Sequence, residues 1–186
     1  MDKETIKEVF EKIREISCML GDNSNMEWIL QSIEHILLYT ESPIERKFLF
    51  ALITEIIDKN VGTDLFENPI LIWTNQIEDL FPAEYWEAGT IAMLFINPII
   101  GNYRPDIVLS TAKNKIIFEI DGFQYHNTKK QLTSDKKRER ELGKLGYKIY
   151  RFSGTELHQN EKKVAEEALE IIYREFNLKE KNENSQ

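Results

Sequence analysis

A chain of 186 residues, 41% hydrophobic and 30% charged, suits one globular domain of ordinary size plus an extension, and excludes wholesale disorder. No run nears the ~18 apolar residues of a membrane span, and the single cysteine, Cys18, excludes an internal disulfide framework and a cysteine-based zinc site. The net charge of -8 argues against a general nucleic-acid coat, while the charged opening without a signal-peptide core points to a cytoplasmic location.

Residues 3–20 place Ile6, Val9, Phe10, Ile13 and Ile16 at steps of three and four, the pattern of an amphipathic helix that Gly21 to Ser24 stops. Met26, Ile29, Leu30, Ile33 and Leu37 mark a second helix. The pair predicts a helical hairpin over 1–40, attached to a main domain over 41–176 and offering a surface for self-association or a protein partner. Cys18 reads as a buried thiol, and His35 has no metal-ligand partner near it in sequence. Ser42-Pro43-Ile44-Glu45 opens a third helix: Ser as N-cap, Pro at the first helical position, Glu three residues after Ser. Capping explains Glu45 fully, although that helix end could also face a site. Phe48, Leu49, Leu52, Ile53, Ile56 and Ile57 carry the helix to about Asp58.

Pro69 to Ile77 reads as a strand ending at Gln76, and Thr90 to Ile96 as another. Between them, Glu78 to Gly89 is an acidic, aromatic insertion, a packed loop by default and otherwise a lid or partner surface. The stretch from Tyr103 to His126 then concentrates chemistry. Asp106 to Leu109 follows Pro105 as one strand, Ser110 to Lys115 has the polarity of a hairpin tip, and Ile116 to Asp121 forms the second strand, ended by Gly122. With a period of two, Ile117, Glu119 and Asp121 share one face, and Ile116, Phe118 and Ile120 the other. Two acids on one face of an apolar strand repel each other. Either a cation sits beside them or the face points to water.

From about Lys130 to Leu145, Leu132, Asp135, Arg138, Leu142 and Leu145 fall on one helical face. Asp135 and Arg138 are polar within that stripe, so they are expected to be partly buried and paired, Arg138 with an acid of the preceding strand. Gly146 ends the helix, Tyr147 to Phe152 forms a strand, Ser153 to Leu157 leads on, and Glu161 to Phe176 makes a last helix with Val164, Ala168, Ile171 and Ile172 inward. Strand, helix, strand is the unit of parallel pairing by a crossover. Asn177 to Gln186 is a polar tail, expected to be disordered. Between Asn127 and Arg151 nine Lys or Arg stand against three acids, a local excess of six positive charges. A basic run beside an acidic cluster suits a phosphate-backbone site with bound metal, against the plain alternative of a solvated helix face.

The order R-P-D, then F-E-I-D-G with His126 four residues past the glycine, then D-x-x-R, then L-x-x-L-G-Y-x-I-x-R-F, resembles restriction-endonuclease-like domains of the PD-(D/E)xK superfamily. It is most similar to a small family allied to the very-short-patch-repair endonucleases, over about Ser42 to Leu157. The resemblance implies an α/β (α+β) fold, a mixed sheet flanked by helices, and cleavage of phosphodiester bonds, most simply in DNA, with Mg²⁺ or else Mn²⁺. By position it makes Asp106 the central metal ligand, Glu119 the first acid of E-x-K, and Glu45 the helical acid near the metal. Asp121 stands where the superfamily usually has lysine, and Gln124, His126 and Lys130 are candidates for that lysine's task. His126 could instead hydrogen-bond Asp121 or Asp135 and fix the loop.

The residues fit that chemistry in their own right. Mg²⁺ takes hard oxygen ligands, often one or two carboxylates with waters and substrate phosphate. Asp106 and Glu119 can supply that pair, and Asp121 can bind a second ion or orient a water. Lys130, Lys136, Lys137 and Arg140 would meet the nucleic-acid backbone, while Gln76, Gln124, Asp135 and Arg138 would support the site. The alternative is a nuclease-like fold that only binds nucleic acid or protein, favoured by the missing lysine and the acidic net charge.

Overall fold

The computed structural model describes residues 36–37, 39–60, 70–73, 92–111, 113–122 and 129–176. Residues 1–35 of the expected hairpin with Cys18 and His35, Gln76, the 78–89 insertion, Gln124, His126 and the tail over 177–186 lie outside the described residues.

Helix α1 spans Pro43–Asn60, followed by strands β1 (Ile70–Trp73), β2 (Ala92–Ile96), β3 (Ile107–Ser110) and β4 (Lys115–Asp121). Helix α2 (Lys129–Lys144), strand β5 (Tyr147–Ser153), helix α3 (Gly154–Gln159) and helix α4 (Glu161–Phe176) complete the order. The five strands form one sheet in the order β1-β2-β3-β4-β5. The β1–β2 and β4–β5 pairs are parallel, and β2–β3 and β3–β4 antiparallel. This is a mixed, helix-flanked α+β sheet, the architecture that the resemblance implies.

The sequence order dictates that mixture. A tight tip joins β3 to β4: the Thr111 hydroxyl accepts the Asn114 N–H at 2.8 Å, and the Thr111 N–H donates to the Asn114 carbonyl at 2.8 Å. So short a link permits only antiparallel pairing, whereas the α2 crossover returns the chain parallel to β4. Gly146 turns the chain from α2 into β5 at φ +88°, a conformation that costs a residue with a Cβ. Strand β3 starts at Ile107, so Asp106 stands just before the ladder.

The strict alternation along β4 sends its two sides into different cores. Ile116, Phe118 and Ile120 pack with α1 and α4, while Ile117 joins Met93, Phe95, Val108, Leu142 and Tyr147 on the α2 side. Phe48 of α1 lies 5.8 Å from Phe118 and 5.3 Å from Phe152, ring centre to ring centre, and all three are buried. Two features depart from the sequence reading. Leu145, assigned to the inward stripe of α2, is 58% exposed, because the helix ends at Lys144 and the chain turns before completing that step. The lead-in after Ser153 is a helix of its own, α3, opened by a Ser153/Glu156 capping box.

Phe48 bridges α1 to two strands, so its loss leaves a cavity that no one element can close. Phe48→Ala is expected to cost about 3–5 kcal/mol of unfolding free energy, read by urea denaturation. A cost below about 1 kcal/mol would contradict this packing.

Candidate active site

Glu119 and Asp121 leave β4 on the α2 side, as the period of two requires. Glu119 is only 6% exposed. The solvent-facing alternative therefore fails for this residue. Its partner is Arg138, whose guanidinium forms an ion pair with the Glu119 carboxylate. Arg138 faces the sheet because Leu142, one turn further along α2, is buried against it. Asp135, one turn before, is half-buried. The cation demanded by the two acids is thus supplied by D-x-x-R, and a second one comes from β5. Parallel register sets Arg151 beside Glu119, and its guanidinium stands 3.9 Å from Asp121 and 3.2 Å from Glu139.

Asp106 lies one step beyond the Ile107–Phe118 pair, which brings it alongside Glu119. Its carboxylate accepts the Ile120 N–H at 2.7 Å, so a backbone donor at the end of the hairpin fixes the side chain. Burial pushes the Asp106 carboxyl up to about 6, against the pull of that hydrogen bond, with repulsion from Glu45 and Asp121 adding to the rise. Burial likewise pushes Glu119 up to about 7; Arg138 opposes the rise and Asp106 adds to it. Asp106 therefore disfavours the charge on Glu119.

Glu45 reaches the same cleft from the start of α1. Its carboxylate accepts the Ser42 hydroxyl at 2.6 Å and the Glu41 N–H at 3.0 Å, and its own N–H donates to Ser42 Oγ at 3.2 Å. Ser42 caps the helix as read, while the Glu45 carboxylate takes the Glu41 N–H in place of the Ser42 N–H of a capping box, and Glu45 also lies in the wall of the site. Glu45, Arg104, Asp106, Glu119, Asp121 and Arg138 line one open cleft of about 560 Å³. Arg104 is tied to its rim by an ion pair with Glu41 and a 3.2 Å hydrogen bond to the Asn97 carbonyl. Lys136, Lys137 and Arg140 are exposed on α2, Lys137 within 3.7 Å of Glu141. Lys130 lies in α2 with its side chain outside the described set, as are Gln76, Gln124 and His126 altogether.

Arg104 in the cleft wall, and Arg151 and Asn97 bonded to the surrounding residues, escape a reading by sequence. Arg104 and Arg151 sit inside motifs, R-P-D and R-F, but their place depends on strand register. Asn97 shows no motif signal at all.

Among the described residues no group of three or more His, Cys, Asp or Glu is arranged to hold a metal ion. A two-carboxylate donor set still suits a hard divalent cation that keeps most of its waters. Asp106 and Glu119 fit such an ion: both are oxygen donors, both are desolvated, and each gains from a positive charge between them.

Residues 97–172 match the family model REase_MTES_1575. This segment is restriction-endonuclease-like. The match begins at Asn97 and takes in Asp106, Glu119, Asp121, Asp135, Arg138 and Arg151, while Glu45 and the rest of α1 lie before it. Restriction-endonuclease-like families usually use divalent metals, and the match points to nuclease activity on nucleic acid. No curated protein and no solved structure matches the chain. No helix among the described residues is long and apolar enough to cross a membrane.

The raised acids have a consequence for stability. Between about pH 4 and about pH 7 the folded chain keeps protons on Asp106 and Glu119 that the unfolded chain has released. Stability from these groups is therefore greatest below that window and falls as pH rises through it, by on the order of 3 kcal/mol for each group. Urea melts of the metal-free protein at pH 5 and pH 8 should show the decline, and Glu119→Gln should reduce it to the part that Asp106 contributes. Arg138→Met removes the cation that offsets the Glu119 charge once it ionises, so its cost should be larger at pH 8 than at pH 5. Equal costs at both pH values would contradict the pairing.

Proposed function

We propose that the chain is a divalent-metal-dependent nuclease that hydrolyses phosphodiester bonds in DNA. The observation that carries the reading is the desolvated pair Asp106 and Glu119 in one cleft, within a restriction-endonuclease-like segment. These two side chains would hold the cation, Mg²⁺ or Mn²⁺, and Glu45 would lend its charge from the third side. A divalent cation there would lower the pKa of an attacking water and neutralise charge on the phosphorane-like transition state.

The chain's own groups serve the rest. The Ile120 N–H fixes the rotation of the Asp106 carboxylate. Arg138 favours the ionised form of Glu119 against burial and adds positive charge to the cleft wall, which favours an incoming phosphate. Asp121, half-buried and facing Arg151, is suited to orient a water or take a second ion. Lys136, Lys137 and Arg140, on the exposed side of α2, would engage the DNA backbone with Lys130, and His126 would act near the end of β4. Kinship with the very-short-patch-repair endonucleases belongs to this proposal on motif order, as does self-association through the N-terminal helices.

One observation favours a second reading. Arg138 and Arg151 already provide protein cations for Glu119 and Asp121, and no lysine stands at 121. A site balanced in this way could bind nucleic acid without cutting it.

Incubating the purified protein with plasmid, linear and single-stranded DNA plus Mg²⁺ or Mn²⁺ separates the two. Cleavage is expected, with Asp106→Ala and Glu119→Ala reducing it by more than the ~100-fold that loss of an outer-shell partner costs. Cleavage that persists in both folded variants would point to a contaminant and overturn the reading. Salt-dependent DNA binding without cleavage would establish the second one.

A further inference from the structure

Asn97 closes β2 and gathers the cleft's two distant walls. It is 5% exposed and sits at φ +49°, in the left-handed region that asparagine tolerates better than most residues. Its side-chain amide donates to the Tyr39 carbonyl at 2.7 Å and to Glu45 Oε2 at 3.3 Å. Both neighbours are acceptors only, so the NH₂ end of the amide must face them. The Asn97 N–H donates to the Asp106 carbonyl at 2.7 Å, and its own carbonyl accepts the Arg104 Nε–H at 3.2 Å. One buried residue therefore touches the acid of α1 through its side chain and the acid before β3 through its backbone.

General packing does not ask for this arrangement. An apolar residue would fill a buried strand end without a left-handed backbone, and the α1 cap already satisfies Glu45 through Ser42 and Glu41. What the amide adds is a third, directional restraint on Glu45, aimed from the residue that also anchors Asp106. We propose that Asn97 is a positioning residue for the acidic cleft, setting Glu45 relative to Asp106 and thereby the affinity of the cleft for a divalent cation. The proposal rests on the metal-dependent reading of the same site.

Calorimetric titration of the full chain with Mn²⁺ tests it without any need for cleavage. Asn97→Gly keeps the positive φ and both backbone hydrogen bonds and removes only the amide. It should weaken Mn²⁺ binding about tenfold, the lower end of what outer-shell partners contribute. In a Glu45→Ala background, which removes the acceptor, the same change should weaken it no further, because the amide then has no acid to position. A purely structural role would lower the melting temperature equally in both backgrounds and leave the Mn²⁺ affinity in place. Asn97→Ser serves the same comparison should the glycine variant unfold. Wild-type Mn²⁺ affinity in Asn97→Gly, with binding lost in Asp106→Asn, overturns this proposal alone. Equal Mn²⁺ titrations of wild type and Asp106→Asn overturn the metal-dependent reading, and this proposal with it.

Discussion

Two carboxylates taken out of water within reach of each other set the terms for the rest of this structure. Burying Glu119 and Asp106 opposes their ionisation, and neighbouring acids make each charge harder to hold, Asp106 for Glu119 and Glu45 for Asp106. A fold that keeps both must supply positive charge. For Glu119 it does so with Arg138 from the crossover helix and, more weakly, Arg151 from the neighbouring strand. A backbone N–H from Ile120 supports Asp106, and a divalent cation would complete the balance.

The sheet makes that placement inevitable once its connections are given. The short tip over residues 111–114 forces β3 and β4 antiparallel, so the residue before β3 meets the end of β4. The α2 crossover makes β5 parallel to β4 and brings Arg151 into register with Glu119. With α1 and α4 on the opposite face, the apolar half of β4 is spent on the Phe48, Phe118 and Phe152 cluster. The acid-bearing half is left to face α2. Core and cleft are two sides of one strand.

Much of this was legible in the chain. The alternation in β4 separates Glu119 and Asp121 from Phe118 and Ile120, and the three-and-four stepping of α2 puts Arg138 on the side of the acids. Local signals of this kind depend on neighbours in sequence, and they also gave Glu161–Phe176 its bounds. Long-range hydrogen bonds leave no such trace. Asn97 reaches partners 58 and 52 residues away, so nothing in its surroundings marks it. Arg151 depends on a strand register that periodicity cannot supply. Leu145 shows the opposite failure, since its stripe continues on paper beyond the point where the helix has already ended.

The central claim is that Asp106 and Glu119 together hold a divalent cation. Anomalous diffraction from crystals soaked in Mn²⁺ addresses it most directly. The account predicts a peak bonded to oxygens of both carboxylates at about 2.0–2.2 Å, the range expected for a hard divalent ion. A well-soaked crystal with no peak between them, and Arg138 still seated on Glu119, would contradict it.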